Sequence, residues 1–160
     1  MTMTGLAQGH SRRAKESHRD TVTYEIDMLK YCFDRWQSAP IDDEMYRDFC
    51  LEGYLLHYRN LVRFFSGNHH DRDDLSMAKP GAWAGHHVTD AETRPFKASG
   101  MELERRYYDD ISGYLHHCTL RRATTERNWH PEVMHREIMA ILEAFQVAFP
   151  PASIDLGAKK

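Results

Sequence analysis

The chain predicts an all-α fold, a four-helix up-and-down-type bundle with a long loop between helices two and three. Three observations carry that expectation. Apolar residues recur at three- and four-residue intervals in four separate segments, no segment alternates apolar and polar residues as a half-buried strand does, and proline or glycine punctuates the gaps. Short connections between such stripes favour antiparallel neighbours.

Helix one runs from Thr21 to Gln37, where Val22, Ile26, Leu29, Tyr31, Cys32, Phe33 and Trp36 recur at helical spacing, and Ser38-Ala-Pro40 stops it. Helix two runs from about Ile41 to Phe65, opened by the acidic run Asp42-Asp43-Glu44 and closed near Ser66-Gly67-Asn68. It is expected to be the longest and most buried element. At about 100° per residue, Cys50, Tyr54, His57, Leu61, Phe64 and Phe65 fall within roughly one third of its circumference, while Leu51, Leu55, Tyr58 and Val62 widen the stripe. His57 is therefore expected inside the bundle or at an interface.

Residues 67–99 read as the long loop, punctuated at Gly67, Pro80-Gly81 and Pro95, with Trp83 and Phe96 pinning it to the bundle. Helix three is expected after Ser99-Gly100, with Leu103, Tyr107, Ile111, Tyr114, Leu115 and Cys118 on one face and an end near Leu120 to Arg122. Pro131 suits the first turn of helix four, whose stripe is Met134, Ile138, Ile141, Leu142, Phe145 and Phe149. Residues 1–19 read as a polar arm, 20–149 as the bundle and 150–160 as a flexible tail.

With 160 residues, one domain can bury its own core. Three cysteines, Cys32, Cys50 and Cys118, are an odd number at distant spacings within apolar patterns, which suits small buried hydrophobes in a reducing cytoplasm. Nowhere do eighteen apolar residues run together, and the leading basic residues Arg12, Arg13 and Lys15 have no apolar run behind them, so neither a membrane span nor a secretory signal is expected. A net charge of -3 argues against coating nucleic acid by bulk electrostatics. The basic clusters around Arg12 and at Arg121, Arg122 and Arg127 read as solvated surface.

Two regions carry residues capable of chemistry. Helix three holds Arg106, Asp110 and His117 along the edge of its stripe, with Asp110 and His117 two turns, or about 10.5 Å, apart. Asp110 is placed for an ordinary i, i+4 pair with Arg106. The loop offers His69, His70, Asp71, Asp73 and Asp74, then His86, His87 and Asp90, with His86 and Asp90 on one face if that segment is helical. These residues match no metal-binding spacing, so no metal or other cofactor is expected, and a metal-dependent enzyme is only a rival reading. No nucleophile elbow or Cys/His framework points to a hydrolase.

The helix Glu52...Leu55-Leu-His57-Tyr-Arg59-Asn60-Leu61...Phe64-Phe65, a long loop, and then Ile111-Ser-Gly-Tyr-Leu-His-His117-Cys-Thr119 together resemble small bacterial HEPN-type helical proteins. The resemblance covers roughly Thr21 to Phe149. It implies a four- to five-helix bundle that commonly dimerises, and in many members a metal-independent endoribonuclease with an arginine, four to six residues, and a histidine on one helix. The histidine carries over to His117. The arginine does not, because Asp110 stands where the motif with six intervening residues needs it.

That departure changes the chemistry. A guanidinium binds a scissile phosphate in two places, whereas a carboxylate repels it. His117 alone retains a near-neutral imidazole for acid or base work, and Arg106 or an arginine from a second copy stands as a replacement. His57, Arg59 and Asn60 also match the family pattern, either as an architectural polar network or beside His117 in an RNA-binding cleft. The expectation is a binding or assembly module in a toxin or defence setting, homodimeric, with RNA or a protein as partner; an active endoribonuclease is the alternative.

Overall fold

The computed structural model describes residues 18–68, 74–116 and 130–150. They form an all-α bundle: α1 (His18–Ser38), α2 (Glu44–Ser66), α3 (Asp90–Leu103), a π turn (Glu104–Tyr108), α4 (Asp109–His116) and α5 (Pro131–Ala148). Helix α2 is the central element, packed on α1, α3, the π turn and α4. It buries Tyr54, Leu55, His57, Tyr58, Leu61, Val62, Phe64 and Phe65, so its wide apolar stripe has neighbours on most sides.

The α1 stripe of Val22, Ile26, Leu29, Cys32 and Phe33 lies against α2. The two helices run antiparallel, since Glu25 meets His57 and Asn60 while Cys32 meets Gly53. Between them, Asp43 N donates to Pro40 O, and the Asp43 side chain caps α2 by accepting from Tyr46 N at 3.0 Å. The helix therefore starts at Glu44, three residues after the expected Ile41. It ends where Gly67 adopts φ 78°, a left-handed conformation that glycine reaches without a Cβ penalty.

The connection to α3 is shorter than the sequence suggested. Helix α3 begins at Asp90, about ten residues before the expected start, and Thr89 with Glu92 forms a reciprocal capping box. Pro95, read as loop punctuation, and Gly100, read as the boundary before helix three, both lie inside the helix. Gly100 packs directly on α2: a Cβ there would collide with the Phe65 and Ser66 backbone. Close approach of two helices explains a glycine that looked like a boundary.

The connection also buries side chains. Met77 N donates to Phe64 O at the end of α2, and the Trp83 indole donates to Ser76 O across a 3-10 turn at Pro80–Ala82. Trp83 thus enters the core, as expected. Phe145 of α5 lies among Phe64, Phe65, Trp83, Phe96 and Phe149, with ring centroids 5.2 to 5.9 Å away. Such edge and tilted aromatic contacts add to the burial gain of about 1.5–3 kcal/mol per large apolar side chain. Arg19 clamps this end of the bundle, with its guanidinium over the Phe145 ring at 4.4 Å and a hydrogen bond to Phe149 O. Among the described residues no helix is long and apolar enough to cross a membrane.

Candidate functional site

His57 occupies the buried stripe of α2, where an imidazole needs a partner. It finds Glu25 on α1: His57 Nδ1 lies 2.8 Å from Glu25 Oε2, and Asn60 Nδ2 donates to the same oxygen at 3.1 Å. Residues three apart on a helix share a face, so a single carboxylate on the antiparallel neighbour receives both. Asn60 thus makes its polar contact to α1. Glu25 itself drew no attention in the sequence, although its position three residues after Val22 sets it at the edge of the α1 stripe.

One turn further along α2, Arg59 and Arg63 line an open groove of about 410 Å³, together with Glu25, Asn60, Asp74 and Tyr108. Val22, Leu61, Phe64 and Leu75 supply its apolar lining. Arg63 is engaged, with Nε donating to Asn68 O at 3.1 Å and its guanidinium over Tyr108 at 4.8 Å. Arg59 makes no hydrogen bond or ion pair among the described residues.

On the far side of His57 lies a second, largely apolar groove of about 620 Å³, bordered by Met28, Tyr31, Phe49, Leu56 and Leu115. Phe49 is 72% exposed and Tyr31 53% exposed at its edge. Arg35 and Glu52 also line it.

The helix-three candidates behave differently from expectation. Residues 104–108 form a π turn, whose i→i+5 hydrogen bonding breaks the α-helical register on which an Arg106–Asp110 i, i+4 pair relies. Arg106 reaches α5, where Nη2 lies 2.8 and 3.0 Å from the two carboxylate oxygens of Glu137 and 2.7 Å from the Tyr107 hydroxyl. Asp110 is exposed in the first turn of α4. His117 lies outside the described residues, as do Cys118 and Arg121, Arg122 and Arg127.

Behind this ion pair is a buried polar group. The hydroxyls of Tyr54 and Tyr58, the Ser112 hydroxyl and His135 Nδ1 are buried without a hydrogen-bond partner among the described residues. Burial pushes both tyrosines well above the ordinary phenol range, so they stay protonated and serve neither as nucleophile nor as base. His135 stacks flat on Phe33, with centroids 3.7 Å apart, and burial lowers its pKa.

No known protein family, curated protein or solved structure matches this chain. The chemistry therefore rests on the side chains themselves. Among the described residues no group of three or more His, Cys, Asp and Glu is arranged to hold a metal. His86 lies in a bend and Asp90 opens α3, so the shared helical face supposed for that pair does not form, and Asp90 Oδ1 instead accepts from Lys97 at 3.0 Å. His69, His70, Asp71 and Asp73 lie outside the described residues. The bundle brings His57 and Asn60 together through Glu25, puts Arg59 in the adjoining groove, and turns Arg106 toward α5.

Proposed function

We propose that this protein is a HEPN-like assembly module, a helical bundle that pairs with a second copy of itself and lacks the nuclease chemistry of the scaffold it resembles. The observation that carries this reading is the engagement of Arg106. With Asp110 at the motif's arginine position, Arg106 is the nearest replacement cation, and it is held by Glu137 and Tyr107. Turning it toward a phosphate would strip Glu137 of its counter-charge and set a carboxylate beside the incoming anion.

Self-pairing is supported by the apolar groove between α1 and α2. It carries both a projecting aromatic side chain, Phe49, and a concave apolar wall beside it. A two-fold operation brings the projection of each copy to the groove of the other. Arg35 and Glu52 on the same face have opposite charges, which the same operation can set against each other. A toxin or defence setting, with RNA or a protein as further partner, is what the resemblance adds.

The test uses the full chain. Light scattering after gel filtration should give a dimer mass, Phe49→Lys should give a monomer that stays helical, and His117→Ala should remain dimeric. RNA incubated with the protein and a chelator should stay intact. Cleavage abolished by His117→Ala would establish the endoribonuclease reading in place of this one, and a monomeric unaltered chain would remove the assembly role.

A further inference from the structure

The groove lined by Arg59 has a character distinct from the apolar face assigned to self-pairing. We propose that it binds a small organic oxyanion, a carboxylate or phosphate group carried on an apolar body, with Arg59 as the anion's contact. Arg59 is partly buried in the groove wall, yet no acid or carbonyl among the described residues takes up its guanidinium. The other arginine of the lining, Arg63, is committed to Asn68 and Tyr108. A planar guanidinium with five donors matches the two oxygens of a carboxylate or phosphate.

The rest of the groove narrows the ligand class. Val22, Leu61, Phe64 and Leu75 offer apolar contact, and a volume of about 410 Å³ lies within the range for small-molecule sites. Asn60 is oriented by its donation to Glu25, which fixes the wall beside Arg59. Glu25 and Asp74 in the same lining disfavour a polyanion, because a strand bringing successive phosphates would set them against these carboxylates. A single anionic group on an apolar body meets the cation and avoids the acids.

Titration calorimetry on the full chain with phenyl phosphate, benzoate, inorganic phosphate and the uncharged benzamide tests the assignment. Phenyl phosphate or benzoate should bind, whichever is tighter identifying the anion, while benzamide and inorganic phosphate bind more weakly. Arg59→Gln should weaken the better ligand at least about tenfold, and Arg94→Gln on the α3 surface should leave it unchanged. Chemical-shift mapping on the unaltered chain gives an independent reading, with the Asn60 side-chain amide and the Val22 and Leu61 methyls expected to move. No binding at millimolar concentration, shifts confined to other surfaces, or unchanged affinity in Arg59→Gln overturns the proposal. Because Arg59 and Phe49 line different grooves, a negative result here leaves the self-pairing test unaffected.

Discussion

His57 Nδ1 and Glu25 Oε2 lie 2.8 Å apart and join α2 to α1, with Asn60 donating to the same carboxylate oxygen. Both α2 donors depend on one acceptor in a half-buried position. Glu25→Ala should therefore destabilise the bundle by about 1–3 kcal/mol, toward the lower end because Glu25 retains some solvent contact. Urea unfolding measures it, with Asp27→Ala on the exposed side of α1 as reference. Equal losses for the two variants would mean that the pair contributes little.

The bundle was legible in the sequence because helical periodicity and burial have the same cause, and the stripes of α1, α2 and α5 became the core. The start of α3 was hidden because Pro95 and Gly100 carry the signals of loops. Gly100 is there for contact with Phe65 and Ser66, a tertiary requirement with no local signature. The Thr89–Glu92 capping box was the better local signal, and it marks the true start. The candidate site was only partly legible. His57 and Asn60 stood out on α2, but their partner Glu25 is distant in sequence, and the Arg106–Glu137 contact depends on a π turn that residue spacing does not reveal.

Gly100→Ala tests the helix contact. Alanine favours a helix over glycine by about 1 kcal/mol, so an uncrowded site would gain stability. At Gly100 the new methyl meets backbone rather than a flexible side-chain end, and α2 and α3 must separate. A net loss of about 1–3 kcal/mol is expected in chemical denaturation. Gly81→Ala, where no atom lies near the added carbon, should be close to neutral. A stabilised Gly100→Ala protein would rule out the close packing.

The capping box makes a smaller prediction. Thr89 Oγ1 accepts from Glu92 N, and Glu92 Oε2 accepts from Thr89 N at 2.7 Å. The Thr89 hydroxyl, which donates to Glu92 Oε2 at 2.7 Å, and then the Thr89 backbone N–H hold the Glu92 carboxyl below its ordinary range. Thr89→Ala should cost about 1 kcal/mol, whereas Thr89→Ser should retain most of the cap. Thermal melts of the two variants distinguish the hydroxyl from the methyl, and equal melting points would assign the effect to the methyl.

His135 provides the pH prediction. Its ring is stacked on Phe33, its Nδ1 is buried without a partner among the described residues, and desolvation is the largest influence on its pKa; Asp34 opposes that lowering and Lys30 reinforces it. The folded value lies below the ordinary 6.5, so the unfolded chain takes up this proton first as the pH falls. The contribution of neutral His135 is complete above about pH 6.5 and is lost as the pH drops through the folded value. His135→Phe keeps an aromatic ring on Phe33 and removes both the proton site and the unpaired nitrogen. Urea midpoints at about pH 7.5 and about pH 5 should fall less in this variant than in the unaltered chain, since carboxylate effects are common to both. An identical fall would show that His135 takes up its proton equally in the folded and unfolded chain, against a lowered folded value.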